Sequence, residues 1–145
     1  MSEIEVVVGI GGAAGDGTAS AGNTLVLSLA RQGIASYSYN AYQSVIRGGH
    51  SWLRIRFSPK KPLNHGDQVH ALIALNQDSL DRHLQELQPG CVALYNGAKF
   101  APSYDPPSGV QLCPLPIPDL SPDSIRLPVM QNTVAVGALT QLLGL

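Results

Sequence analysis

The chain has 145 residues, the usual size of one domain, and we expect a single domain over residues 1–145. Charged residues make up 13% of it, about half the usual share, while hydrophobic residues make up 44%. A net charge of −1, with scattered Lys and Arg, offers no basic footprint for nucleic acid. No apolar run approaches the roughly 20 residues of a bilayer span, and acidic residues follow Met1. We therefore expect a soluble, cytoplasmic protein whose weakly charged surface faces other protein.

The first forty residues predict a strand, a helix and a second strand. Ile4–Val8 is a β-branched run that stops at Gly9, and Ala19–Arg31 carries apolar residues at helical spacing. Gly33 stands where a helix is usually terminated by glycine, and Ile34–Tyr39 resumes a strand pattern. This order is typical of a parallel unit with a right-handed crossover.

The middle of the chain predicts a loop and two strands. The interval from Ala41 to His50 has no clear periodicity and is interpreted as an exposed loop. Trp52–Phe57 alternates, with Leu53, Ile55 and Phe57 on one face and arginines on the other. The continuous apolar run Val69–Leu75 predicts a strand buried on both faces.

The remaining chain predicts two helices and two short strands. Asn76 or Asp78 can cap a helix that ends before Pro89-Gly90, and Cys91–Tyr95 follows as a strand. The proline-rich stretch from Ala101 to Pro128 is expected to be extended loop with one strand near Val110–Leu115. A last helix is predicted over Asn132–Leu143, with Val134, Leu139 and Leu142 toward the sheet. The whole pattern predicts a three-layer α/β/α fold with a mostly parallel, Rossmann-like sheet.

A glycine-rich segment, residues 9–17, joins the first predicted strand to the first helix, where backbone N–H groups and the helix dipole favour anions. It nearly fits a dinucleotide-binding loop, but no acidic residue stands between Asp16 and Asp67 to hold a ribose. It lacks the Lys of a phosphate-binding Walker loop. Asp16 with Asn40 is a poor match to the thiamine diphosphate motif. The alternative is that the glycines only permit close packing. The residues assigned to an anion loop or interface are Gly11, Gly12, Gly15, Asp16 and Gly17.

A second candidate site lies between Ser44 and Ser51. Two adjacent glycines, Gly48 and Gly49, free the backbone, while Arg47 offers a forked donor and His50 a titratable ring. This combination suits recognition of a carboxylate or a phosphate. The residues assigned to this ligand-facing surface are Arg47, Gly48, Gly49, His50 and Ser51.

Neither metal binding nor independent catalysis is expected of this chain. The spacing of its four histidines predicts no ligand cluster, and no nucleophile–base arrangement or pair of carboxylates emerges. Cys91 and Cys113 are expected to be buried free thiols, and two cysteines cannot hold an iron–sulfur cluster, which takes about four.

Several segments together resemble the gamma domain of 2-oxoacid:acceptor oxidoreductases, and are most similar to the form fused at the N-terminus of the alpha subunit. The specific part is the Ile-Arg-Gly-Gly-His element, residues 46–50. The resemblance is carried by Gly11–Gly17, Ser20–Gly22, Tyr39–Ser51, Arg54–Arg56, Val69–Asn76, Asn132–Thr133 and Val136–Leu139.

The resemblance implies one part of an enzyme that oxidatively decarboxylates a 2-oxoacid to an acyl-coenzyme A and reduces ferredoxin. Thiamine diphosphate, magnesium and iron–sulfur clusters would then be held by companion subunits or domains in an oligomeric enzyme. This chain would bind none of them alone, would be inactive when isolated, and would contribute assembly and contacts to coenzyme A or substrate. Two alternatives stay open, a module that only docks onto other subunits and an independent nucleotide-binding protein.

Overall fold

The computed structural model describes residues 5–42, 48–120 and 127–145. Six strands and four helices lie within them, and one short helix, Ile117–Leu120, stands in the stretch predicted as extended loop with one strand. The strands are β1 (Val6–Ala13), β2 (Ala35–Tyr42), β3 (His50–Ser58), β4 (Ala71–Ala74), β5 (Val92–Asn96) and β6 (Gln111–Leu115). The helices are α1 (Thr18–Arg31), α2 (Gln77–Leu84), α3 (Ile117–Leu120) and α4 (Pro128–Leu143).

The six strands form one sheet in the order β2-β3-β1-β4-β5-β6. The pairs β1–β4, β4–β5 and β5–β6 are parallel, whereas β3 runs antiparallel to both β1 and β2. Five of the six strands therefore run in one direction. The predicted three-layer α/β/α fold with a mostly parallel sheet is confirmed.

Two apolar clusters lie on opposite faces of the sheet. On one face, Leu25 and Leu29 of α1 and Leu139 of α4 are fully buried in a cluster with Val8 and Ile10 of β1. On the other face, the leucines of α2 pack with Val7 and Leu72. β1 and β4 contribute side chains to both clusters, which is why their sequences are almost continuously apolar.

The first two strands run in one direction, as the predicted parallel unit requires, but they are not neighbours in the sheet. β2 has the same direction as β1, but β3 lies between them and pairs with both. The alternation of β3 explains its place, because Leu53, Ile55 and Phe57 are buried on the face that α1 covers.

Several predicted boundaries are corrected. β1 does not stop at Gly9 but continues to Ala13, because the strands on both sides supply partners for the glycine backbone. The expected loop from 41 to 50 loses its first two residues to β2 and its last to β3, while residues 43–47 lie outside the described part. α4 starts at Pro128, since proline suits a first helical turn. Leu142, which was predicted to face the sheet, is exposed, whereas Val136 of the same helix is buried.

Other local predictions are confirmed. Gly33 follows α1 with a φ of 74°, the left-handed conformation that glycine adopts without strain. Asn76 caps α2, because its side-chain oxygen accepts a hydrogen bond from the Ser79 N–H. Both cysteines are free, although only Cys91 is fully buried and Cys113 is partly exposed. Within the described residues, no helix is both long enough and apolar enough to cross a membrane.

The sheet has a switch point between β1 and β4. The chain leaves β1 through α1 on one face toward β2, and leaves β4 through α2 on the other face toward β5. The two connections diverge above the carboxyl ends of these strands and leave a crevice. Open α/β sheets bind their ligands at such a position.

Candidate functional site

The glycine-rich segment is divided between a strand and a turn. Gly11 and Gly12, predicted as loop residues, lie within β1, because each is paired with β3. A Cβ on Gly11 would stand 2.8 Å from the Ser79 Cβ, and one on Gly12 would stand 2.9 Å from the Thr18 Oγ1. These two glycines therefore permit close packing of β1 against α2 and the start of α1.

The turn itself is residues 14–17, and Asp16 holds it closed. The Asp16 carboxylate accepts hydrogen bonds from the Ala13 N–H at 2.8 Å and from the Asn76 side-chain amide at 3.2 Å. The Asp16 carbonyl accepts a third hydrogen bond, at 2.6 Å, from the Asn132 side chain of α4. Asp16 thus ties the end of β1 to the residue that caps α2 and to α4.

The first turn of α1 has the features of an anion-binding helix start. Gly17 occupies the N-cap with a φ of 88°, no side chain caps the helix, and no acidic residue lies in its first turn. The Thr18 Oγ1 is buried and has no hydrogen-bond partner among the described residues. Unpaired donors at a helix N-terminus favour a bound anion.

The two predicted glycine turns lie side by side. The Ala14 N–H donates to the Gly49 carbonyl at 2.9 Å, and Ala13 is directly opposite His50 in the ladder between β1 and β3. Both segments therefore lie together at the carboxyl end of β1. Gly48 is exposed with a φ of 68°, whereas Gly49 and Ser51 are buried. Arg47 lies outside the described residues.

A cleft of about 320 Å³ opens beside the turn before α1, at the carboxyl ends of β1, β4 and β5. One wall is the turn before α1, another is the end of β4 and β5 with the segment that follows, and the third is the start of α4. The cleft mixes amide side chains, one exposed lysine and the Asp16 carboxylate with apolar groups. Its lining is Gly15, Asp16, Ala74, Leu75, Tyr95, Asn96, Lys99, Phe100, Ile117, Gln131, Asn132 and Ala135.

The spacing of histidines in the sequence did not predict a histidine pair that joins the start of β3 to α2. The Nε2 atoms of His50 and His83 are 2.8 Å apart, although 33 positions separate the residues in sequence. The Trp52 indole stacks on the His83 ring, with centroids 3.6 Å apart and planes inclined by 11°. The helical register of α2 could have indicated that His83 faces the sheet, since Leu80 and Leu84 flank it on the buried face.

Hydrogen bonds define how the two rings share protons. The His83 Nδ1 lies 3.1 Å from the Glu86 carboxylate, so it carries the proton, and the His83 Nε2 is then the acceptor for the His50 Nε2–H. Burial is the main cause that lowers the pKa of both histidines, while the Glu86 carboxylate acts on each of them in the opposite direction. Neutral rings suit this arrangement, which anchors the start of β3 to α2.

No metal centre accompanies these groups. Within residues 5–42, 48–120 and 127–145, no three His, Cys, Asp or Glu side chains are arranged to hold a metal ion. The candidate site therefore consists of a helix start, two glycine turns, a mixed cleft and a neutral histidine pair.

Solved structures with the same fold are subunits of 2-oxoacid oxidoreductases. The chain aligns over 98% of its length with 25% of a chain of a 2-oxoglutarate:ferredoxin oxidoreductase from Magnetococcus marinus, with a TM-score of 0.81 and 24% identity. That structure has 2-oxoglutarate, coenzyme A and succinyl-CoA bound. The gamma subunit of a keto/oxoacid ferredoxin oxidoreductase from Geobacter sulfurreducens aligns over 96% of this chain and 78% of its own, with a TM-score of 0.73 and 25% identity.

Curated relatives are much longer proteins. The chain is 28% identical over 93 residues to the alpha subunit of 2-oxoacid:ferredoxin oxidoreductase 2 from Aeropyrum pernix, which covers 64% of this chain and 14% of that subunit. The alpha subunit from Saccharolobus solfataricus is 29% identical over 79 residues, which cover 54% of this chain and 12% of that subunit. The chain thus spans about a seventh of the length of these relatives. Residues 7–145 match the pyruvate ferredoxin/flavodoxin oxidoreductase family, and the chain belongs to that family.

Proposed function

We propose that this chain is the gamma-type domain of a 2-oxoacid:ferredoxin oxidoreductase, which converts a 2-oxoacid to an acyl-coenzyme A, and that its two joined glycine turns face coenzyme A or the 2-oxoacid in the assembled enzyme. The observation that carries this proposal is the Ala14–Gly49 hydrogen bond, which places both turns at the carboxyl end of β1. Thiamine diphosphate, magnesium, iron–sulfur clusters and ferredoxin belong to companion subunits or domains in this proposal.

The residues at the two turns fit an anionic ligand. The uncapped start of α1 and the unpaired Thr18 hydroxyl supply donors, and Lys99 supplies a positive charge at the adjacent cleft. Arg47 and the exposed Gly48 would contact the ligand directly. Gly49, His50 and Ser51 would fix the turn from behind, and Asp16 and Gly17 would shape the helix start.

The chemistry of the reaction is supplied by other groups. Coenzyme A provides the thiol that takes up the acyl group, and the related enzyme from Magnetococcus marinus, which shares this fold, was solved with coenzyme A and 2-oxoglutarate bound. This chain would bind and orient phosphate or carboxylate groups through backbone N–H donors and a forked guanidinium. Its contribution is positional, which raises the affinity for the ligand and the fraction of productive encounters.

Substituting Arg47→Ala in the enzyme assembled with its companion subunits tests the proposal. A guanidinium that contacts a phosphate or carboxylate contributes a charge-assisted hydrogen bond, so we expect KM for coenzyme A or the 2-oxoacid to rise about tenfold or more. The matched control is Arg31→Ala, because Arg31 is exposed in the last turn of α1, far along the helix from the site. Steady-state kinetics with each substrate in turn measures both variants.

Unchanged KM values for both substrates in Arg47→Ala would refute the ligand-facing role and leave a domain that only docks onto its neighbours. The packing of Gly11 and Gly12 against side chains agrees with that alternative as well, because it accounts for both glycines without a ligand. Calorimetric titration of the isolated chain with a dinucleotide tests the remaining alternative, an independent nucleotide-binding protein, and we expect no heat of binding.

A further inference from the structure

The two edges of the sheet differ in how they are protected. β6, at one edge, has five residues and contains Pro114, which cannot donate a hydrogen bond to another strand. β2, at the other edge, has eight residues, and neither a proline nor a charged side chain lies among them. Proteins usually protect an edge strand with lysine, proline, a bulge or short length. β2 has none of these devices.

The outer edge of β2 is also accessible. β2 pairs with β3 along its whole length, and no described residue forms a backbone hydrogen bond with its other side. Four consecutive residues at its centre, 37–40, are exposed. A row of unpaired N–H and C=O groups on an accessible strand is a template for one more strand.

We propose that β2 pairs antiparallel with the β2 strand of a second copy of this chain, about a two-fold axis at Ser38, and joins two sheets into one of twelve strands. In a two-fold interface each residue meets its symmetry-related partner position. In this register Tyr37 lies opposite the second copy's Tyr39, and Ser36 lies opposite the second copy's Asn40. Aromatic residues thus meet aromatic residues, and small polar residues meet small polar residues.

The chemistry of β2 favours a copy of itself as the occupant. The strand carries no charge, so self-pairing sets no like charges opposite each other, which would destabilise the pair. Tyr37 and Tyr39 share the face of the sheet on which β3 presents Arg56 and Arg54. Glu5 and Asn64 bind the terminal nitrogens of Arg56, and the Gly66 carbonyl binds one of Arg54, although the Nε atoms of both arginines have no hydrogen-bond partner among the described residues. The Tyr39 ring packs against His65, with centroids 4.8 Å apart. Tyrosine is enriched at interfaces for its large amphipathic area.

Introducing a positive or a negative charge at Ser38 tests this pairing. The 145-residue chain is expected to sediment as a dimer at micromolar concentration. In Ser38→Lys and in Ser38→Glu, two like charges face each other across the axis, and each variant is expected to dimerise at least about tenfold more weakly. An equal mixture of the two variants is expected to recover the dimer, because Lys then faces Glu.

Gln111→Lys is the matched control, since it places the same charge on an exposed position of the opposite edge strand and should leave the dimer intact. Hydrogen exchange at the β2 amides should also be slower in the unaltered chain than in Ser38→Lys. Equal thermal stability of the two proteins would exclude a folding defect in the variant. A monomeric unaltered chain would overturn the proposal. So would a dimer that withstands both Ser38 variants, or a mixture that stays monomeric.

Discussion

Replacing Gly9 by alanine should destabilise the fold by about 1–3 kcal/mol, the cost of overpacking a filled interior. The new methyl group would stand 2.7 Å from the Trp52 Cζ2, and closer still to Cη2. Trp52 cannot move aside freely, because its ring is buried and stacks on His83. Urea denaturation followed by fluorescence measures the loss directly, since Trp52 is the single tryptophan of the chain.

Gly137→Ala is the control for that substitution. Gly137 lies inside α4 with open space where its Cβ would stand, so alanine there should leave stability unchanged or raise it by up to ~1 kcal/mol. If Gly9→Ala were as stable as the unaltered chain, the packing of β1 against the Trp52 ring would be wrong.

Replacing Asp16 by alanine should cost about 1.5–3 kcal/mol, the range for a hydrogen bond to a charged group. The substitution leaves the Ala13 N–H without its acceptor and frees the Asn76 side chain that caps α2. Both the turn before α1 and the start of α2 should therefore become less ordered. The free energy of unfolding, from urea denaturation, reports the total effect.

Asp16→Asn separates the hydrogen bonds from the charge. One and the same oxygen, Oδ2, accepts from both Ala13 and Asn76, and the asparagine side chain retains one oxygen that can do so. We expect this variant to recover at least half of the lost stability. Equal losses in the alanine and asparagine variants would contradict the role of Asp16 as the acceptor that closes the turn.

Much of the fold follows from short-range patterns in the sequence. The helical spacing before Gly33, the alternation in residues 52–57 and the apolar run before Asn76 predict α1, β3 and β4 because each depends on neighbours within one element. The order of strands in the sheet is not encoded at that range. β3 follows β2 in the chain but inserts between β2 and β1, where its apolar face packs against α1.

The candidate site was predictable in part for the same reason. The two glycine turns are local motifs, and the carboxyl end of β1 brings them together. The division of the glycines between strand and turn was not predictable, since it depends on how closely Ser79 and Thr18 approach β1. The contact of His50 with His83 was missed because it joins distant segments through tertiary packing alone.

The central claim is that the turn before α1 and the turn before β3 act together as one ligand-facing surface in the assembled enzyme. Hydrogen exchange of that enzyme, measured with and without coenzyme A, tests this most directly. We expect coenzyme A to slow exchange at the amides of residues 15–18 and 48–49 together, while the amides of β6 at the far edge of the sheet exchange unchanged. Exchange that is unaffected at both turns when coenzyme A is saturating would contradict the account.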